Sequence, residues 1–307
     1  MLICDLHCDL PDKVVEGKRI SSNKEHWAED KLKKENTYVQ VFAHYVDKNR
    51  HKPYDRVCAM LKAFINELAK TDIRIVTTYK DLEKNIAEGK TSAILAIEGG
   101  EALDGKLENV RHFYNLGVRF LTLTWNYSNQ LGQSSTPWCE NAPLTEFGKQ
   151  VIKEMNRLKM TPDVSHLSEK GFWSAAQIST QPIVATHSNS KKLCNHYRNL
   201  TDEQFLEIKR RGGLVGINYY PTFLEESGKA NVLSIIKHIE HFMAIGGENV
   251  VSLGGDFDGI DALPEGMSDI GDVEKIAEEL AKINYSDEII AKIMGKNVKR
   301  YIKNNFL

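Results

Sequence analysis

Histidine and acidic residues stand at the ends of several apolar runs in this sequence, where few other polar residues interrupt them. Neutral imidazole and carboxylate groups are ligands that suit zinc and similar divalent ions. The pattern predicts a site for two divalent metal ions, with zinc as the expected ion, although cobalt or manganese would fit the same ligand types. The candidate ligands are His7, Asp9, Glu98, His166 and His187.

The spacing of these residues suggests how two ions would be shared. His7 and Asp9 are two residues apart on a predicted strand, so their side chains share a face and can bind one ion together. His166 and His187 follow neighbouring predicted strands and can bind the second ion. Glu98 has two carboxylate oxygens and could bridge both. Ions roughly 3.5–4 Å apart can hold a shared hydroxide that acts as a nucleophile near neutral pH.

The number of acidic groups agrees with a site of this kind. Two divalent ions bring four positive charges, and Asp9, Glu98, Asp256 and a bridging hydroxide would balance them. Without metal, the same carboxylates would repel one another in one pocket. Asp256 ends the last apolar run of the chain and is the candidate catalytic residue.

The elements that must position these residues are short apolar runs of strand length, most of them rich in Val, Ile, Leu or Thr. Helical patterns lie between them, so we predict a single α/β domain over residues 1–307, a closed (β/α)8 TIM barrel. A doubly wound open sheet is the competitor, but no GxGxxG follows the first run. A ninth run at 73–79 leaves the strand count uncertain. The eight principal runs are 2–6, 39–46, 92–99, 119–125, 160–166, 182–188, 213–219 and 250–256.

Helices are predicted from residue spacing and from capping residues. Apolar residues recur at helical spacing over 56–70. Thr201 and Gln204 have capping-box spacing at the start of a helix over 201–211, and Ser286 can cap another near the end of the chain. The polar segment 21–36 is expected to form a loop over the barrel mouth or a surface excursion.

Composition limits the classes of function. Of 307 residues, 41% are hydrophobic and 27% are charged, and the net charge of −2 gives no support for binding nucleic acid or an anionic membrane. The five cysteines form no CxxC pair, which is typical of reduced thiols. We find no signal-peptide pattern at the start and no run long enough to span a membrane, and therefore predict a cytoplasmic protein.

Ordered stretches along nearly the whole chain resemble the membrane dipeptidase (renal dipeptidase) family, metallopeptidase family M19. The resemblance implies an amidohydrolase-like barrel, a zinc-dependent dipeptidase activity on small dipeptide-like substrates, and a possible homodimer. The matching stretches are DLHCDLP (5–11), AIEGGEAL (96–103), LTLTW (121–125), DVSHLSEKGF (163–172), ATHSNSKKLCNHYRNLTDE (185–203), GGLVGINYYP (212–221) and GGDFDG (254–259).

The resemblance also implies a role for each ligand residue. His7 and Asp9 match ligands of the first metal ion. Glu98 matches a bridging glutamate, which replaces the carboxylated lysine of other amidohydrolases. His166 and His187 match ligands of the second ion.

Further roles follow from the same resemblance. Asp256 matches an aspartate that takes a proton from the bridging water and passes it to the leaving amine. Arg198 matches an arginine that holds the C-terminal carboxylate of the substrate, for which a guanidinium fork is well suited. Asp258 is expected to support its loop through hydrogen bonds.

One position departs from the family pattern. Mammalian members carry a histidine after LTLT, where it is thought to bind the substrate carbonyl oxygen, whereas this chain has Trp125 followed by Asn126. Tryptophan has one N–H donor and no charge. Stabilisation of the developing oxyanion would then pass to Trp125, to Asn126 or to the metal ions alone.

Two other functions stay open at the level of sequence. The first is a metal-dependent amidohydrolase that acts on another small amide, such as an N-acyl amino acid or a lactam. The second is a binding protein that keeps the barrel without catalysis. The presence of Asp256 beside a full set of ligands argues against the second.

Overall fold

Short and almost fully buried strands form a parallel sheet in the computed structural model, which describes residues 1–49 and 51–306. Burial on both faces explains why their sequences are continuously apolar rather than alternating. The strands are β1 (Leu2–Cys8), β2 (Thr37–Tyr45), β3 (Arg74–Ile75), β4 (Ser92–Glu98), β5 (Val118–Thr122), β6 (Thr161–Asp163), β7 (Val215–Ile217) and β8 (Val251–Leu253).

The sheet curls until its two ends meet. Its strand order is β6-β5-β4-β2-β1-β8-β7, and β3 pairs beside the start of β4. Val184 bridges Asp163 at the end of β6, and Ala185 bridges Val215 at the start of β7. The segment around these two residues therefore takes the place of an eighth strand between β6 and β7 and closes the barrel. The predicted (β/α)8 fold is confirmed.

Several of the predicted strands are much shorter than expected. The runs at 160–166, 213–219 and 250–256 each form a strand of three residues, Thr161–Asp163, Val215–Ile217 and Val251–Leu253. The run at 182–188 contributes only the isolated bridges of Val184 and Ala185. The next two backbone N–H groups bind side chains instead of a neighbouring strand: that of Thr186 donates to Asp163 Oδ1 at 3.1 Å and that of His187 to Ser165 Oγ at 3.3 Å.

The run at 73–79 is a strand only at Arg74–Ile75. It ends early because Thr78 is the N-cap of the following helix and accepts a hydrogen bond from the backbone N–H of Asp81.

The predicted helices and caps are present. Thr201 and Gln204 form a capping box before α7, and the side chain of Ser286 accepts from the backbone N–H of Ile289. A π-helical turn, Lys292–Lys296, joins the last two α-helices. The α-helices are α1 (Leu10–Val15), α2 (Pro53–Leu68), α3 (Tyr79–Ala87), α4 (Glu108–Asn115), α5 (Glu146–Leu158), α6 (Glu169–Ile178), α7 (Asp202–Arg210), α8 (Pro221–Leu224), α9 (Val232–Ala244), α10 (Glu274–Lys282), α11 (Asp287–Ala291) and α12 (Asn297–Asn305).

The polar segment 21–36 is anchored beside the barrel end at which β8 terminates. The Asp258 carboxylate accepts hydrogen bonds from the backbone N–H groups of His26, at 2.5 Å, and Trp27, at 3.3 Å. The Trp27 ring is buried against Phe42 with ring centroids 4.9 Å apart. These contacts agree with the expected role of Asp258 in supporting its loop.

All five cysteines carry free thiols, as expected. Among the described residues, we find no helix that combines the length and the apolar character needed to cross a membrane.

Two glycines allow the strands to pack closely where the barrel closes. A Cβ atom added to Gly216 in β7, or to Gly254 after β8, would lie 2.0 Å from the backbone oxygen of Thr186. No side chain larger than hydrogen fits at that separation. The two glycines therefore fix the position of the chain at Thr186, immediately before His187.

This packing gives a prediction about stability. Gly216→Ala should lower the free energy of unfolding by about 1–3 kcal/mol because the methyl group collides with a backbone oxygen that cannot move freely. Chemical denaturation followed by circular dichroism measures the change. Gly132→Ala is the matched control, since the atom nearest to its Cβ would be the movable Leu144 Cδ2, at 3.1 Å. Equal stability of Gly216→Ala and the wild type would contradict the prediction.

Candidate metal centre

The carboxyl ends of the barrel strands bring the predicted ligands together. His7 lies within β1 and Asp9 directly follows it, and Glu98 is the last residue of β4. His166 follows β6 by three residues, and His187 follows the bridging segment at 184–185. All five side chains are buried, and those of Glu98 and both later histidines lie within hydrogen-bond or ion-pair distance of one another.

Glu98 lies at the middle of the cluster, and its two oxygens face different histidines. Oε2 is 3.5 Å from His7 Nε2. Oε1 is 3.1 Å from His166 Nε2 and 3.4 Å from His187 Nε2. A carboxylate placed in this way can contribute one oxygen to each of two sites, which is the arrangement expected of a bridging ligand.

The two later histidines present acceptor atoms to each other. Their Nε2 atoms are 2.9 Å apart. Nδ1 of His166 is 3.0 Å from Asn126 Oδ1, and Nδ1 of His187 is 2.9 Å from Thr186 Oγ1. If each Nδ1 carries the proton, both Nε2 lone pairs point toward the Glu98 carboxylate. Three acceptor atoms this close together fit a divalent cation between them.

His7 and Asp9, the first pair of candidate ligands, also have buried atoms without hydrogen-bond partners. His7 Nε2 is 3.5 Å from Asp9 Oδ2 and 3.9 Å from Asp256 Oδ1. His7 Nε2 and Asp9 Oδ1 are buried and have no hydrogen-bond partner. Buried polar atoms are rarely left in this state, so the chemistry of this donor set also fits a metal ion.

Burial and mutual repulsion shift the titration of these groups. Burial raises the pKa of Asp9, and the nearby charge of Glu98 raises it further. Burial also raises the pKa of Asp256. Burial and the charge of Arg198 lower the pKa of His166 to about 4, so its imidazole is neutral at physiological pH. A neutral imidazole is the form that binds metal ions.

Left-handed backbone conformations orient two of these residues. His166 has φ 66° and Asp256 has φ 60°, values that residues other than glycine adopt rarely. Each such residue costs on the order of 1–3 kcal/mol, and such strain concentrates at functional sites. Gly259 makes room for the carboxylates of Asp9 and Asp256, because a Cβ there would lie 2.0 Å from Asp9 Oδ2 and 2.4 Å from Asp256 Oδ1.

Arg198 is buried beside the cluster, with 4% of its surface exposed. It precedes α7, donates from Nη2 to the His187 backbone oxygen at 3.4 Å, and lies 5.6 Å from the Phe223 ring centre. Burial lowers the pKa of Arg198 to about 10, which still leaves it cationic at neutral pH.

A cavity of about 360 Å³ connects the cluster with Arg198. This size suits a small molecule rather than a long polypeptide. The residues that line the cavity include Asp9, Glu98, Trp125, Asn126, His166, Arg198, Tyr220, Phe223 and Asp256.

Trp125 and Asn126, predicted to bind substrate, both line this cavity but differ in their contacts. The Trp125 ring packs against Tyr45, with centroids 5.0 Å apart. Asn126 Oδ1 is hydrogen-bonded to His166 Nδ1, which fixes the orientation of the amide. The amide N–H groups of Asn126 are its donors toward a substrate oxygen.

The sequence did not reveal the residues that form hydrogen bonds with the candidate ligands and with Asp256. Thr186 contacts both His7 and His187, Asp163 binds Thr186, and Asn218 donates to Asp256 Oδ2 at 2.8 Å. Their only signal in the sequence is that each is a polar residue within one of the apolar runs. Residues this far apart in the sequence meet only through the closure of the barrel.

Comparison with known proteins identifies the relatives of this chain. A model of the membrane dipeptidase family, peptidase family M19, matches residues 1–305. An uncharacterised protein from the pqqA 5′ region of Klebsiella pneumoniae is 37% identical over 256 residues, covering 80% of this chain and 93% of that protein. Human dipeptidase 3 is 31% identical over 241 residues, which are 75% of this chain. The match spans only 49% of the length of human dipeptidase 3.

Solved structures extend the similarity to the whole fold. Dipeptidase AC, a metallopeptidase of family M19, has a TM-score of 0.92 and 26% identity, with 100% of this chain and 99% of the other covered. A metallopeptidase from Rhodobacter sphaeroides, liganded with a phosphinate mimic of the dipeptide L-Ala-D-Ala, has a TM-score of 0.92 and 25% identity over the same shares.

The position of Glu98 between the histidines gives a prediction about metal binding. Zinc should raise the thermal unfolding midpoint of the wild type, since a ligand present at about 1,000 times its Kd stabilises the native state by about 4 kcal/mol. Glu98→Gln should lose most of this stabilisation. Differential scanning calorimetry of metal-free protein, with and without zinc, measures both.

Glu101→Gln is the matched control, because Glu101 is a nearby buried carboxylate that binds Asn129 Nδ2 at 2.8 Å and faces none of the three histidines. It should keep the response to zinc. A wild type that zinc does not stabilise, or a Glu98→Gln variant stabilised equally, would show that the cluster is not a metal site.

Proposed function

The chain belongs to the membrane dipeptidase family, the metal-dependent dipeptidases of peptidase family M19, and on that premise we propose that it hydrolyses the peptide bond of dipeptides with two divalent ions, zinc being the expected metal. The observation that carries the proposal is the convergence of three imidazoles and three carboxylates next to a cavity that a buried arginine also lines.

The distances support the ligand assignment that the family resemblance implies. His7 and Asp9 would hold one ion, His166 and His187 the other, and Glu98 would contribute one oxygen to each. When bound, the two ions would polarise the scissile carbonyl and supply a water whose pKa is near neutral. Burial of the cluster excludes bulk water and strengthens every electrostatic interaction within it.

Asp256 is the proposed proton carrier. Its Oδ2 accepts from Asn218 Nδ2 at 2.8 Å, which orients the carboxylate, while Oδ1 faces His7 Nε2 at 3.9 Å. Oδ1 is thus the atom that would take the proton of the attacking water and deliver it to the leaving amine. Burial raises the pKa of Asp256, which favours a carboxyl group that can hold a proton during the reaction.

Arg198 is the proposed anchor for the C-terminal carboxylate of the substrate. It is cationic, buried and on the wall of the same cavity as Glu98 and Asp256. A buried guanidinium with an unpartnered Nε gains most from a carboxylate partner. The dipeptide mimic bound by the Rhodobacter sphaeroides relative supports a substrate of this size.

The substrate carbonyl oxygen needs a donor in place of the histidine of mammalian relatives. We propose the Asn126 amide N–H for this role, since its oxygen is already bonded to His166. Trp125, packed against Tyr45, would then form an apolar wall for a substrate side chain.

Two further properties remain our predictions. Unpaired thiols at all five cysteines support a cytoplasmic location. A homodimer, which the family resemblance implies, is to be tested by the mass of the protein in solution.

Removal of the metal gives a direct test of the proposed activity. Dialysis against a strong chelator should abolish hydrolysis of dipeptides such as L-Ala-L-Ala and L-Ala-D-Ala, and zinc should restore it, with two equivalents found by metal analysis. Full activity in metal-free protein would refute the proposal. Faster hydrolysis of N-acyl amino acids than of any dipeptide would identify a different amidohydrolase.

Arg198 gives a second test, directed at the substrate class. Arg198→Ala should raise KM for free dipeptides by about 10- to 100-fold, because a charge-assisted bond of roughly 1.5–3 kcal/mol is lost. KM for C-terminally amidated dipeptides should change little. Lys192→Ala, an exposed cation in the same loop, is the matched control. Equal effects on free and amidated substrates would remove the proposed role of Arg198.

A further inference from the structure

One buried hydroxyl group contacts an imidazole from each half of the metal centre. Thr186 Oγ1 lies 2.9 Å from His187 Nδ1 and 3.3 Å from His7 Nδ1. His7 and His187 are both 1% exposed and belong to segments separated by most of the chain. Their rings also pack together, with centroids 3.8 Å apart.

The direction of these hydrogen bonds is set by Asp163. Its Oδ2 accepts the hydroxyl protons of Thr186, at 2.7 Å, and Thr122, at 2.6 Å. Its Oδ1 accepts the backbone N–H groups of Ser165, at 3.0 Å, and Thr186, at 3.1 Å. Four donors therefore point at this fully buried carboxylate, which acts only as an acceptor.

The hydroxyl group of Thr186 has one proton and two lone pairs. Because its proton is used on Asp163, it can only accept from the imidazoles. Nδ1 of His7 and Nδ1 of His187 must then each carry a hydrogen. In the neutral form of each ring, which is the form that binds metal ions, the Nε2 lone pair then faces Glu98, whose oxygens lie 3.5 Å and 3.4 Å away.

We propose that Thr186, fixed by Asp163, is a positioning residue that sets the tautomer and ring orientation of His7 and His187 together, and so couples the two metal-ion sites. The inference rests on the proposed function and deepens it. Fixing the outer nitrogen of a metal-bound imidazole is known to govern metal affinity. Here a single hydroxyl group does so for both ions.

The surrounding backbone prevents other residues from replacing this contact. Gly216 and Gly254 pack against the Thr186 backbone oxygen, so residue 186 cannot shift to bring another group to the imidazoles. Ser165 Oγ lies 3.4 Å from Thr186 Oγ1 and accepts the backbone N–H of His187. It therefore supports the position of the hydroxyl without contacting either ring nitrogen.

Thr186→Val tests the proposal, since valine keeps the shape of threonine and cannot accept a hydrogen bond. Zinc titration of metal-free protein by calorimetry should show about 10- to 100-fold weaker binding at both sites. Thr186→Ser should restore affinity to within a few-fold of the wild type. The visible absorption of Co²⁺-loaded protein gives a second readout, which should shift in Thr186→Val and not in Thr186→Ser.

Thr161→Val is the matched control, because it removes a buried hydroxyl group from β6 that bonds Tyr301 Oη at 3.0 Å and contacts no ligand. Its zinc affinity should equal that of the wild type. Unchanged zinc binding in Thr186→Val, or weakening at one site alone, would overturn the proposal while leaving the two-metal function intact. A wild type that binds no zinc would overturn the function itself, and the proposal with it.

The wild-type protein allows a test that does not depend on any variant folding. Nitrogen-15 spectra of the imidazoles should show a proton on Nδ1 of both His7 and His187. An Nδ1 without a proton in either ring would refute the direction of the hydrogen bonds and therefore the proposal.

Discussion

Several hydrogen-bond acceptors face one another in the buried space at the carboxyl ends of the barrel strands. The close packing and the backbone conformations around this space hold those acceptors in position. Glu98 faces His7 with one oxygen and His166 and His187 with the other, at 3.1–3.5 Å. Away from water, such a group is costly unless positive charge enters it. Divalent cations would satisfy it, and the two faces of Glu98 are the basis for proposing two ions rather than one.

The barrel holds this arrangement because several features of the backbone oppose its relaxation. Gly216 and Gly254 bring neighbouring strands against the chain at Thr186. His166 and Asp256 adopt left-handed conformations that an unconstrained chain would leave. Asp163 accepts hydrogen bonds from Thr186, whose hydroxyl group contacts the imidazoles of His7 and His187. These features hold the ligand side chains in place, which reduces the ordering that metal binding must accomplish.

The proposed substrate site is in the same cavity and depends on a different interaction, the pairing of a guanidinium with a carboxylate. Arg198 keeps its charge although it is buried, and its guanidinium is the group in the cavity best suited to a carboxylate. Trp125 offers an apolar surface on the wall of this cavity. In the proposed function, a free carboxylate held by Arg198 and a cleavage site near Glu98 would together limit the substrate to a short peptide.

The sequence alone determined the strand and helix pattern, the barrel class and the ligand types, because burial on both faces makes strands apolar and polar residues at their ends are conspicuous. It overestimated the strand at 182–188, since side chains of Asp163 and Ser165 capture the backbone N–H groups there. It treated Asn126 as a substrate contact alone, and it did not identify Thr186. Only the tertiary structure shows their contacts with the histidines, because hydrogen bonds and close packing depend on atoms that barrel closure brings together from distant parts of the chain.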